Sequence, residues 1–399
     1  MNHPNEKEST SFDRITPIDL SFSPVVEDAP YRWLRSLGLN PRQDQGLVQR
    51  AIGVALFAWL PIVIWAWFHN RLLGISVPEP LLAHYGISVT CLVAIPLLIL
   101  GEGVARRVVE RTVFQFACSG LVVEGQLDRF RSILKSTARL RDHSLPWVLV
   151  LGVVAAITLT SPTSLDGLNW AAEGGGRLGF GGAWFLYVAR PIYIALLLGW
   201  GWRLLLVGLL CLRIARLDLS LVPTHPDRVC GLGFLEVLPE AFSLWALAMS
   251  AVVMASWTHE LHHHGQTLRG LHLPFLAFIA GTTLVMVAPL LAFAPRLIAF
   301  RRQALRDYGA LVGVHGRLVR QRWILGERLA DAEILEAPEL GPIADTAAIY
   351  DAVRSTRATP ISMPALLKIL VPLLIPALIG ISTQIPLRQL LLKIGHALL

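Results

Sequence analysis

The sequence predicts an all-α fold: a polytopic helical membrane protein of about seven transmembrane helices with long amphipathic cytosolic helices. Three observations predict it. Apolar runs begin near Ala51, Leu81, Pro146, Trp184, Pro239, Leu273 and Met363, each long enough or nearly so to cross a bilayer as a helix of ~20 residues. Of the residues, 54% are hydrophobic and 16% charged, where soluble domains carry ~25% charged residues. Finally, basic residues crowd every second connection between the runs, the bias that marks the cytosolic side of a membrane.

The elements follow in order. Residues 1–37 are polar and mixed in charge, with no apolar signal-peptide core. They read as a cytosolic tail, partly disordered up to Pro30, with Tyr31-Arg32-Trp33-Leu34 as an interfacial helix. The first two runs are joined by a nearly uncharged connection, and the second is followed by basic helices over 103–143, among them Arg106, Arg107, Arg129 and Arg131. A third run brings the chain back out. Gly174 through Gly182 then forms a glycine-rich stretch that reads as a flexible outer loop or a re-entrant approach to the fourth run. The fifth and sixth runs lead into a second basic segment, 297–362, which carries Arg320 and Arg322. The seventh run contains Pro364, Pro372 and Pro376, so it is expected to kink and to need neighbours for its freed carbonyls. Residues 385–399 form an amphipathic tail suited to the interface.

An internal repeat is also legible. Gly125 to Leu134 and Gly316 to Leu325 share Gly, Leu, Arg, Arg, Ile and Leu at one constant offset. Val93-Ala94-Ile95-Pro96-Leu97-Leu98 answers Val287-Ala288-Pro289-Leu290-Leu291, and Asn40 to Leu47 answers His225 to Leu232. The reading is a parallel 3+1+3 duplication: one three-span unit over 38–162, a linker span over 163–221 and a second unit over 222–384. The alternative is that basic helices after spans resemble one another by composition.

Charges inside the runs are the candidates for chemistry, because they are costly in lipid. Arg190, two turns into the fourth run and followed by Pro191, leads. It would favour anions if it lined a passage. Arg203 reads as snorkelling from nearer the cytosolic end. Glu102 closes the second run at a depth where it can pair with Arg203, and Lys368 lies early in the seventh. The plain alternative for each is a buried ion pair or an interfacial anchor.

His259-Glu260-Leu261-His262-His263 matches the H-E-x-x-H pattern, in which two His on one helical face hold zinc and Glu acts as base. Here it reads as a short loop after Trp257, so His259 and His263 are candidate metal ligands and Glu260 a candidate base, against a solvated loop. No cofactor motif is present. The four cysteines, Cys91, Cys118, Cys211 and Cys230, have no metal-ligand spacing and read as small packing residues. The net charge of +7 follows from the basic loops and requires no nucleic acid.

His225 through Phe234, with the Pro-rich last run and Ile385-Pro386-Leu387, resembles a segment of uncharacterised bacterial multi-pass inner-membrane proteins. The resemblance implies no activity. The expected function is a channel or transporter-like protein of a small ion or solute, anion-selective in its sharper form. The alternatives are a non-transporting scaffold or sensor that works through its basic cytosolic helices, and a metal-dependent hydrolase. Expected partners are the bilayer, its anionic headgroups and further copies of the chain. The expected setting is a bacterial inner membrane, with the N-terminus cytosolic and the C-terminus periplasmic or interfacial.

Overall fold

The computed structural model describes residues 22–24, 44–73, 80–160, 169–173, 177–263, 268–327 and 343–382. Among these, seven helices are long and apolar enough to cross a membrane. The chain is a helical membrane protein. The helices are α1 (Asp44–Phe68), α2 (Tyr85–Cys118), α3 (Leu127–Asp142), α4 (Leu145–Thr160), α5 (Phe180–Ala215), α6 (Ser243–His263), α7 (Leu268–Leu291), α8 (Ala294–Val319), α9 (Ile343–Arg354) and α10 (Met363–Ser382).

Two of them overrun the bilayer. α2 has 34 residues and α5 has 36, so each continues some 20 Å beyond a hydrocarbon core that needs ~20 residues. Each also holds a wide π-helical turn, Thr90–Ala94 in α2 and Phe185–Ala189 in α5. In both, a proline stands two residues after the turn, Pro96 or Pro191. Proline removes one backbone donor and crowds the carbonyl a turn earlier, and the wide turn makes room for it.

The overrunning ends of α2 and α5 meet α3, α8, α9 and the segment 216–242 to form a layer on the basic side of the bundle. Its core holds Phe116, Phe130, Leu219, Leu232, Leu235, Phe242, Phe293 and Leu297, and it is continuous with the packed interior between α2, α5, α6 and α10. Ser220 N donates to Leu121 O at 2.8 Å, stitching the turn after α2 to the strand-like stretch after α5. α9 runs antiparallel to α8, with Arg301 donating to Arg354 O at 2.8 Å and Tyr350 beside Gly309. Phe22, Ser23 and Pro24 are buried, with Ser23 O accepting from Arg141 at 2.6 Å. This part of the tail is therefore packed where disorder was expected, because Phe22 supplies an apolar side chain to the layer. The expected helix at 31–34 and the tail 385–399 lie outside the described residues.

On the opposite side, a two-stranded antiparallel hairpin, β1 (Ala172–Glu173) and β2 (Arg177–Leu178), covers α1 and the start of α5. Arg71 donates to the carbonyls of Trp170 and Ala172. Here the glycine-rich stretch departs from expectation. Gly179 to Gly182 is close-packed rather than free: a Cβ on Gly181 would stand 2.6 Å from Trp65, and one on Gly182 2.7 Å from Ala171 Cβ. Gly174 to Gly176 lie outside the described residues.

The two halves of the candidate repeat differ locally. Gly125 to Leu134 forms a 3-10 turn and the start of α3, with Phe130 and Leu134 buried. Gly316 to Leu325 instead continues α8 into a π-helical turn, with Trp323, Ile324 and Leu325 exposed.

Candidate functional site

The charges expected in the membrane are mostly engaged. Glu102 of α2 lies between two arginines. Arg203 of α5 donates to its Oε1 at 2.9 Å, and Arg50 of α1 donates to Oε2. All three side chains are more than nine-tenths buried. Trp200, one turn earlier on α5, covers Arg203 at 5.3 Å and donates its indole N–H to Leu98 O at 3.0 Å. Gly101 allows this approach, since a Cβ there would lie 2.8 Å from the Trp200 ring. The triad joins α1, α2 and α5 through both carboxylate oxygens.

Arg203 therefore does not snorkel. It lies about 15 Å of helix from Arg213 at the basic end, and burial against Glu102 and Trp200 holds it there. Arg190 is half-buried and makes no hydrogen bond or ion pair with a described residue. It is about 15 Å of helix from the Phe180 start of α5, toward the hairpin side. Lys368, more than half exposed, pairs with Glu240 at 2.5 Å and links α10 to the lead-in of α6. Arg50 was not singled out from sequence. Its signal is a lone arginine at the entry to the first apolar run.

The second constellation lies in the loop between α5 and α6. The Asp227 carboxylate accepts from three backbone donors: Val229 N at 2.8 Å, Gly231 N at 3.2 Å and Gly233 N at 2.8 Å. His225 Nδ1 lies 2.9 Å from it. This hub supports a backbone that turns left-handed at Arg228 (φ 59°), Cys230 (61°) and Gly231 (95°), a conformation that non-glycine residues adopt rarely. Gly233 must stay small, because its Cβ would stand 2.9 Å from that of Asp227. Burial acts to raise the Asp227 carboxyl, but the backbone donors and His225 outweigh it and hold it below the ordinary carboxylate range. The Asp227 carboxylate thus ties the turn together from within, and the arginine that closes over it is Arg357.

Arg357, ahead of α10, closes over this loop. Its N–H donates to Arg228 O at 2.7 Å, and its guanidinium reaches Asp227 O at 3.1 Å, Glu236 Oε1 at 2.8 Å and Ile361 O at 2.9 Å. Ser362 donates to the other Glu236 oxygen at 2.5 Å. No spacing in the sequence announces a contact across 121 residues.

Among the basic helices, Arg129 is exposed and Arg131 pairs with Asp128 at 3.3 Å. Arg320 and Arg322 are exposed at the end of α8, with Arg322 over the Trp323 ring at 5.9 Å. The H-E-x-x-H stretch is helical, not a loop, because α6 continues through His263. The side chains of Glu260 and His263 lie outside the described residues. The His259 ring packs on that of His84, with centroids 4.7 Å apart, and its Nδ1 is 3.3 Å from Ala83 O. Among the described residues, no group of three or more His, Cys, Asp or Glu side chains is placed to hold a metal.

Compared with protein-family models, curated proteins and solved structures, the chain matches none.

Proposed function

We propose that this protein is a non-transporting membrane scaffold or sensor whose working surface is its basic side, presented to a partner protein. The observation that carries the proposal is the end of α8. Trp323, Ile324 and Leu325 stand 76%, 74% and 55% exposed there, beside exposed Arg320 and Arg322. Aromatic and arginine side chains grouped in this way are the usual anchors of a protein interface. Welding of Glu102 to Arg50 and Arg203 supports the same reading, since it assigns to helix packing the charges a pathway would need. In this proposal the basic side faces the cytosol by the positive-inside bias, the membrane is a bacterial inner membrane, and the chain assembles with copies of itself. The parallel duplication belongs to the proposal as the origin of the two basic segments.

A second reading, an anion channel or transporter, is favoured by Arg190, a half-buried arginine without an ion-pair partner among the described residues. Ion flux into liposomes separates the two. The scaffold reading expects no anion or cation flux from folded, inserted protein. It also expects that Trp323→Ala/Ile324→Ser abolishes capture of whatever protein co-purifies with the native chain. Flux whose anion-to-cation ratio changes in Arg190→Ala would overturn the scaffold reading.

A further inference from the structure

We infer that α3, α4 and α5 together form a binding site for one anionic phospholipid, with an acyl chain between α4 and α5 and the phosphate on the basic face of α3. The inference goes beyond the scaffold proposal and holds equally for a transporter.

The apolar part is a groove of about 840 Å³ walled by Leu149 and Val153 of α4 and by Leu198 and Leu205 of α5. α4 buries only Val150 and Val154, so this groove lies on the most lipid-exposed span. Its lip is Leu140 and His143, where α3 turns into α4. Arg131, Lys135 and Arg139 recur at four-residue spacing along one face of α3. They edge a second, polar groove of about 360 Å³ together with Ser132 and Ser136. This face runs along α3 toward His143 and the mouth of the apolar groove.

A fourth cation closes the site from α5: Arg213 donates to Ser136 Oγ and Thr137 Oγ1, both at 3.0 Å. The acidic groups nearby are Asp128, which pairs with Arg131, and Asp142, which pairs with Arg141 at 2.7 Å. The face thus keeps an excess of positive charge. Each groove also holds one donor without an acceptor. Arg131 Nε and the Trp202 indole N–H are buried without a hydrogen-bond partner, and Trp202 lines the apolar groove. Cations beside an apolar groove that opens to the bilayer match a molecule with an anionic head and a hydrocarbon tail. A zwitterionic head would set its own ammonium against the cations.

Native mass spectrometry of the full chain, released from nanodiscs of equimolar phosphatidylglycerol and phosphatidylcholine, tests this. Retention of one phosphatidylglycerol, about tenfold or more over phosphatidylcholine, is expected. It should be lost in Arg131→Gln/Lys135→Gln/Arg139→Gln and in Leu149→Trp, which fills the groove. Equal retention of both lipids would mean ordinary annular lipid and overturn the site. So would retention unchanged in the triple variant. If Leu149→Trp keeps the lipid and glycerol 3-phosphate displaces it, the face binds a free anion and the acyl groove is refuted.

Discussion

Arg203 donates to Glu102 across 2.9 Å, joining α5 to α2 inside the bundle. Arg50 holds the other carboxylate oxygen, so one acid binds two buried guanidinium groups. Glu102→Gln would leave both cations facing an uncharged amide. Breaking a buried ion pair costs about 3–5 kcal/mol, and that loss is expected in thermal unfolding in detergent. Arg203→Gln should cost less, because Arg50 remains. A Glu102→Gln protein that unfolds at the wild-type temperature would remove the triad from any account of stability.

What could be read from sequence divides along physical lines. The seven spans were legible because lipid demands long apolar runs whatever the tertiary packing. The Glu102–Arg203 pair was legible because a charge in such a run needs a partner at its own depth. The rank of Arg190 over Arg203 was not. It depended on how far α5 extends past the bilayer, and composition does not mark where a 36-residue helix leaves the lipid. The Asp227–Arg357 lock was hidden for another reason. Its contacts run to backbone carbonyls and amides exposed by left-handed turns, and these leave no spacing in the sequence.

The Asp227 hub sets a pH dependence. Its carboxyl lies below the ordinary value of 3.8 because backbone donors favour the ionised form. A folded value lower than the unfolded one gives stability that is complete above the unfolded value and is lost as pH falls through the folded one. Unfolding in acid should therefore steepen below pH 3.8 in the native protein. Asp227→Asn should be less stable at neutral pH and lose this acid limb, since its amide nitrogen cannot accept from a backbone N–H. An unchanged acid limb in Asp227→Asn would assign it to other carboxylates.

The cysteines offer a chemical check on the same loop. Burial, and after it the Asp227 charge, push the Cys230 thiol up to about 11, while a hydrogen bond with Thr356 pulls the other way. Thiolate is the reactive form. Cys91, Cys211 and Cys230 are buried and Cys118 is exposed. A maleimide at neutral pH should add once per folded chain, at Cys118. Cys230 should react only after the loop opens, and Arg357→Ala should open it. Rapid labelling of Cys230 in the native chain would show that the Arg357 clamp does not hold in solution.

The hairpin side can be tested with two glycines. A Cβ on Gly181 would lie 2.6 Å from the Trp65 ring and 3.1 Å from Trp170, and both rings are buried. Neither can swing aside, because Arg71 stacks on Trp65 and the Trp170 backbone is held by the same arginine. Overpacking of this kind costs about 1–3 kcal/mol. Gly181→Ala should lower the unfolding temperature accordingly and loosen the hairpin, with a rise in the fluorescence quenching of Trp65 and Trp170 by a soluble quencher. Gly208 lies on the same continuous helix with nothing within 4 Å of its would-be Cβ. There the alanine meets no obstacle and gains helix propensity of up to ~1 kcal/mol, so Gly208→Ala should be neutral or stabilising. If the two variants behave alike, packing at the tryptophans is not what the glycine-rich stretch is for.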